Sequence, residues 1–389
     1  MEVDRRAVSL WASWLAVAVW SAWWAGHMWP GSGLSWHYTV DGARLLLHGS
    51  GLNLFADVPW LQTGPLSLVL AALLSPLPAG VARGIALVAM AAAGPLLVAS
   101  LAPLVAPEHR RRRVFAAAIV LTPSWTVLAV RWGHLDDVLA LVFAVVALRA
   151  VCASRPVLAG AAVALAIAAK PWAIGFFPLL FALPRADLRV AGAVAAAGVA
   201  LAWLPFVLAN RGTLTALHPP VGLSTASGLH TLGARGLLVP AWGRTAQLVL
   251  APLGATVTVL TRGVPGVLLV AVAVRLALDP KNNAYYIGSA ALAAVVFDLL
   301  GTRWTVPWTT LVTVILFWQP FVTGFTDIPH AVQTTTGLTH WWFAHQEVVG
   351  AVHVAWSVAV VALVFALPHW HRKSSDAIGA ETPPAHGSS

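Results

Sequence analysis

Long apolar runs alternate with short polar joints along the whole chain. Apolar segments lie roughly at 8–29, 64–78, 80–105, 114–130, 137–152, 156–184, 190–209, 246–260, 264–278, 285–300, 304–320 and 347–367. Many approach the roughly 20 residues of one membrane span. Away from water a backbone satisfies its own polar groups only as a helix or a closed barrel, and alternating strand patterns are missing. The pattern therefore predicts an all-α polytopic membrane protein with about 11–13 transmembrane helices. The 156–184 run carries Lys170-Pro171 near its middle, which predicts two short helices meeting at a proline break. The 8–29 run is too long for a signal-peptide core and lacks a cleavage site, so it is expected to persist as the first span.

Residues 1–371 read as a single integral membrane domain, followed at 372–389 by a Ser-, Gly- and Pro-containing tail expected to be disordered and cytoplasmic. Arg110 to Arg113, Arg149, Arg155, Arg185, Arg189, Arg262, Arg303, Arg372 and Lys373 recur at alternate joints. Positive residues are retained on the cytoplasmic side, so these joints are expected inside. The opposite, extracytoplasmic side then receives three large loops, 30–63, 210–245 and 321–346, together with residues 131–136 and 279–286. The first 105 residues break the alternation: one of the segments 64–78 and 80–105 is not expected to cross.

Composition adds exclusions. With 59% hydrophobic and 10% charged residues the chain is too poor in charge to clothe a water-facing surface. A formal charge of +9 would raise nucleic acid as a partner, but the basic residues are scattered between apolar runs, so no nucleic acid is expected. A single cysteine, Cys152, leaves no disulfide framework. No phosphate-binding loop, dinucleotide fingerprint or Gly-x-Ser-x-Gly element occurs, which removes support for ATP-driven transport and serine hydrolysis.

Candidate chemistry gathers on the outer side. The first loop holds His37, Asp41, Asp57 and Gln62, with residues 36–48 able to form a short amphipathic helix at the membrane surface that Gly49 ends. The alternative there is an interfacial loop with solvated charges. In Arg131-Trp132-Gly133-His134-Leu135-Asp136-Asp137, two adjacent carboxylates stand at the mouth of a span. Capping a helix N-terminus explains one, and the second should face a polar cavity. Lys170 either snorkels or finds an anion such as phosphate. Arg275 and Asp279 are spaced to pair, and Tyr285-Tyr286 follows, either as part of a site or as an aromatic belt after an Asp-Pro turn. His340, His345 and His353 lie near Glu347 without a metal-ligand spacing, and no metal or other cofactor is expected.

Taken in order, these stretches resemble the GT-C superfamily of membrane glycosyltransferases, in particular the polyprenol-phosphate-sugar-dependent, mannosyltransferase-like family 87 of actinobacteria. Ala43 to Gly49, Leu54-Phe55 and Gly64-Pro65-Leu66 look like its first-loop pattern. Gly133-His134-Leu135-Asp136 and Lys170-Pro171 look like two further elements, and Asp279-Pro280 with Tyr285-Tyr286 looks like an outer-loop motif. The family's proposed base, an Asp, falls at Ser35 here.

The resemblance implies a GT-C-like fold in the plasma (inner) membrane with an extracytoplasmic active face. It implies transfer of a mannose-like or arabinose-like sugar from a polyprenyl-phosphate donor to a cell-envelope glycan or glycolipid. Asp41 or His37 would replace the missing base. Lys170, Arg131 and Arg275 would hold the donor phosphate, and His134, Asp136, Asp137, Asp279, Tyr285, Tyr286, Asp57 and Gln62 would bind acceptor or sugar. Two other readings remain: a non-catalytic GT-C-like protein, and a transporter or flippase for a lipid-linked substrate.

Overall fold

A computed structural model describes residues 5–217, 221–318 and 336–367, with side chains from residue 11 onward. The tail at 372–389 and most of the 321–346 loop lie outside the described residues. The chain is helical, and no strand occurs among the described residues beyond one isolated bridge between Gly222 and Leu238. In order, the helices are α1 (Arg5–Met28), α2 (Trp36–His48), α3 (Pro65–Leu74), α4 (Ala79–Leu101), α5 (Arg110–Thr126), α6 (Leu135–Cys152) and α7 (Pro156–Ala169). A 3-10 segment (Pro171–Ala182) follows, then α8 (Arg185–Ala209), α9 (Ala241–Arg262), α10 (Val267–Ala277), α11 (Tyr286–Gly301), α12 (Trp308–Phe317), α13 (Gly337–Ala344) and α14 (Gln346–Ala366).

Four helical stretches are long and apolar enough to cross a membrane: Ala79–Leu104, Arg110–Trp132, Arg185–Ala209 and Gln346–Ala366. Large apolar side chains on the outer rods face away from the protein, including Trp11, Leu201, Leu260 and Val358. An apolar surface that extensive has a non-aqueous partner. Inside that girdle, α10 and α11 are buried on nearly every face. The small side chains of Ala290, Ala291, Ala293 and Ala294 let neighbouring rods approach α11 closely.

Helix ends sort into two groups. One cavity is lined by Leu104, Arg110, Cys152, Pro184, Arg262 and Leu300, so the ends of α4, α6, the 3-10 segment, α9 and α11 and the start of α5 share an arginine-rich end. Arg262 Nη1 donates to Leu367 O at 3.2 Å, bringing the end of α14 there too. Buried Arg113 donates to the carbonyls of Asp298, Leu299 and Thr302, filling acceptors left open at the end of α11. The Asp298 carboxylate accepts from Thr309 N and Thr310 N and so caps the start of α12. Helix α1 runs parallel to α5, with Ser13 on Arg111, Trp20 on Ile119 and Pro30 on Arg131.

The unresolved alternation near the N-terminus has a simple geometric answer. Helix α3 has 10 residues, which at 1.5 Å each gives about 15 Å, half the hydrocarbon thickness. It starts against Ala169 and ends beside α2, so both of its ends stay away from the arginine-rich end. Segment 64–78 is the one that does not traverse the fold, and α4 does.

The break at Lys170-Pro171 is present. Lys170 is extended (φ −151°, ψ 120°), as a residue before proline is forced to be, and α7 stops there.

Candidate functional site

At the end opposite the arginines, four stretches converge. A π-helical turn, Val127–Trp132, closes α5, and Gly133 then adopts φ +65°. That left-handed residue turns the chain, and segment 33–35, hydrogen-bonded to the carbonyls of Val130 to Trp132, packs so closely on it that a Cβ at Gly133 would stand 3.0 Å from Gly33 Cα. The turn puts His134 before α6 and Asp136 and Asp137 in its first turn, where the helix dipole favours anions.

Both carboxylates are buried, and both are served by more than the helix end. Asp136 is paired with the Lys170 ammonium, and it accepts from Thr63 Oγ1 at 3.0 Å and from Asp137 N at 2.9 Å. Its other oxygen stands 3.3 Å from His134 Nδ1. Asp137 accepts from Trp172 Nε1 at 2.8 Å and lies 3.7 Å from Lys170 Nζ. The 63–67 stretch is clamped to the same place: Gly64 N donates to Ala169 O at 2.9 Å, and Ser67 Oγ to the same oxygen at 3.3 Å. These bonds satisfy a carbonyl that the end of α7 leaves open.

The other half is built on α9 and α10 and on the joint that leads into α11. Arg275 pairs with Asp279 at 3.7 Å, one helical turn away. Asp279 also accepts from Gln247 Nε2, Lys281 N and the Tyr286 hydroxyl, at 3.0–3.3 Å. The Arg275 guanidinium lies over the rings of Trp172 (4.3 Å) and Tyr286 (4.7 Å). Trp172 therefore joins the two halves, bonding Asp137 at one edge and carrying Arg275 on its face. The His134 ring packs against Tyr285, with centroids 3.7 Å apart and the planes tilted by 33°.

Between the halves lies a cavity of about 320 Å³ whose walls include Ser35, His134, Asp136, Lys170, Asp279 and Tyr285. A smaller void of about 80 Å³ adjoins it, against Trp172, Gln247 and Arg275. Gln62 and Arg244 line both. Arg244 donates to Gln247 Oε1 at 2.8 Å and to Gln62 Oε1 at 3.0 Å. Two neutral amides hold it, and it forms no ion pair among the described residues. Lys170 and Arg275 have carboxylate partners; Arg244 does not. Buried atoms at the site without a hydrogen-bond partner among the described residues include His134 Nε2, Trp132 Nε1, Arg244 Nε, Arg275 Nε and Arg275 Nη1.

Of the residues expected from the sequence, His134, Asp136, Asp137, Lys170, Arg275, Asp279, Tyr285, Tyr286 and Gln62 come together here. The tyrosines are packed into the site, with Asn283 donating to both hydroxyls, and do not form an exposed belt. Arg131 is elsewhere: its Nη1 donates to the carbonyls of Pro30 and Gly31 and fixes the joint after α1. His37 and Asp41 line a different cavity, of about 440 Å³, on the far face of α2. Asp41 is exposed there beside Arg44, at 3.8 Å. Asp57 is exposed at the end of a short helical turn, Leu54–Asp57. Sequence reasoning missed Arg244, Gln247, Trp172 and Thr63. Arg244 carried one signal, a cation beside an apolar run on the side where the charge rule disfavours cations.

His134, Asp136 and Asp137 bring donor atoms within 4.8 Å of one another, a spacing that suits a metal ion. The Lys170 ammonium already reaches both carboxylates. The donor set has its counter-cation within the chain, and a divalent ion would have to displace it. No protein-family model, curated protein or solved structure matches the chain.

Proposed function

We propose that the protein is a GT-C-like membrane glycosyltransferase that uses a polyprenyl-phosphate sugar as donor and a cell-envelope glycan or glycolipid as acceptor. One observation carries this reading: a single cavity sets the His134–Asp136 pair against Arg244, a cation without a carboxylate partner. The first is the arrangement of a general base held by an acid, and the second fits an anionic group on the substrate. Ser35, where the resembling family carries its Asp, is on the wall of the same cavity.

In this mechanism the donor phosphate lies against Arg244 and Arg275 Nη1, with its prenyl chain along the apolar outer faces of the rods. An acceptor hydroxyl attacks the anomeric carbon, and its proton passes to His134 Nε2. Asp136 holds Nδ1 and stabilises the imidazolium. The bond from the anomeric carbon to the phosphate oxygen breaks, and that electron pair leaves on the polyprenyl phosphate, whose added negative charge Arg244 stabilises. Lys170 positions the carboxylates. The leaving group is already activated, so the step needs no metal.

The arginine-rich end favours the cytoplasm and the candidate site the extracytoplasmic side of the plasma membrane. The shorter rods, among them α7, α10, α11, α12 and the 3-10 segment, would complete a multi-pass topology around the four long spans. Asp41 and His37, lining another cavity, lose the role of base to His134.

The test is transfer from radiolabelled polyprenyl-phosphate mannose or arabinose in proteoliposomes. His134→Ala is expected to lower the rate by about 10²–10⁴-fold, while Asp41→Asn and His37→Ala keep it. Full activity in His134→Ala would overturn the assignment of the base. A second reading, a non-catalytic donor-binding protein, is favoured by Ser35 alone. Arg244-dependent donor binding without transfer in the wild type would establish it.

A further inference from the structure

We propose that Ser35, Thr39, Tyr38 and Trp60 form a saccharide subsite on the wall of the site cavity and hold the sugar end of the acceptor. The role as acceptor site rests on the transferase reading above; the binding of a sugar does not. All four residues line the cavity of about 320 Å³, and none borders the smaller void beside Arg275. Ser35 stands at the start of α2 without capping it, and Thr39 follows four residues on, along the same helical face. Ser35 is 6% exposed and Thr39 3%, yet neither hydroxyl has a hydrogen-bond partner among the described residues. Tyr38 and Trp60 are half-exposed, their ring centroids 6.1 Å apart and their planes at 72°. Beside them Gln62 spends its Oε1 on Arg244, which leaves its amide N–H groups unspent.

Hydroxyls and an amide without charge suit a ligand rich in hydroxyls, because each O–H both donates and accepts. A sugar ring also has a face of C–H groups, which an aromatic ring covers while the polar edges stay wet. A hydrocarbon chain would use the rings of Tyr38 and Trp60 but strand the buried hydroxyls of Ser35 and Thr39. A phosphate would use the hydroxyls and gain nothing from the rings. The ligand that uses both is a sugar ring. The donor phosphate belongs with Arg244 and Arg275, which border the smaller void, whereas this wall borders only the larger cavity, which His134 also lines. The sugar held here is therefore the acceptor's, with the hydroxyl that attacks turned toward His134.

The experiment is saturation-transfer NMR of the full chain in phospholipid nanodiscs free of sugar detergent, titrated with mannotriose or arabinotriose. Transfer kinetics that separate donor KM from acceptor KM run beside it. Trp60→Ala is expected to raise the trisaccharide Kd and the acceptor KM at least about tenfold, and Trp60→Tyr to recover most of that. At roughly fivefold per hydroxyl, Ser35→Ala with Thr39→Val should raise both about 25-fold. Donor KM should not change in any of these variants, which also shows that they fold. Trisaccharide binding untouched by Trp60→Ala and by the double variant, while the wild type transfers sugar, overturns the subsite alone. A rise in donor KM in place of acceptor KM overturns it in favour of the donor's own sugar. Trp60-dependent binding without transfer in the wild type supports the subsite and overturns the transferase reading alone.

Discussion

Lys170 sits at 11% side-chain exposure between two carboxylates exposed by 2% and 4%, which makes its removal the sharpest test of how the site is held together. In Lys170→Met the methylene stem is kept and the charge is lost. The attraction to Asp137 alone, at 3.7 Å, is about 4 kcal/mol in an effective dielectric of about 20. Asp136 keeps Thr63 Oγ1, Asp137 N and His134, but it loses its only full counter-charge among the described residues. Two adjacent buried anions then face one histidine. Removing one partner of a buried pair typically destabilises by about 3–5 kcal/mol, whereas neutralising both partners is often near neutral. In a chain of this size that is a fall of about 4–6 °C in the unfolding temperature. Thermal unfolding in detergent, followed by the fluorescence of the 20 tryptophans, reads it directly. Lys170→Met combined with Asp136→Asn should recover half or more of the loss. A single variant that melts within about 1 °C of the wild type, or a double variant whose loss is the sum of the two, refutes the pairing argument.

Arg244→Gln removes the cation held only by amides; with a charge-assisted bond worth about 1.5–3 kcal/mol, donor KM should rise at least tenfold, while the melting temperature stays put. Gly64→Ala drives a Cβ into the Ala168 and Ala169 carbonyls, so the loop carrying Thr63 must lift off α7. Loss of about 1–3 kcal/mol of stability and of transfer together is expected, and wild-type values for both would show that the clamp is unimportant. Asp298→Ala strips the cap from α12 at the far end of the fold. It should lower stability by about 1–3 kcal/mol and leave donor KM unchanged, which kinetics on the surviving folded fraction would check.

Much of this site can be read in the linear chain, because its chemistry is scarce. In a chain that is 10% charged, each acidic residue or lysine beside an apolar run must have a partner, and His134-Leu135-Asp136-Asp137, Lys170-Pro171 and Arg275 to Asp279 are such places. The proline break is equally local, since Pro171 removes an N–H and forces Lys170 to extend. Pairing across the chain is not local. Asp136 meets Lys170 and Thr63 only because α3, α6 and α7 meet at one end, and nothing in either neighbourhood names the other.

The same division separates the two ends of the protein. Sequence alone determined the helical class, the apolar rods and the arginine joints, because span length, backbone satisfaction and charge retention act on short stretches. Only the tertiary structure decided that segment 64–78 stops halfway. Only it put Asp41 and His37 on a cavity of their own, and left Arg244 between two amides. Those outcomes depend on which rods touch. An apolar helix surrounded by other apolar helices carries no charge or turn to say which neighbour it takes; that choice is made by the fit of side chains such as the alanines of α11.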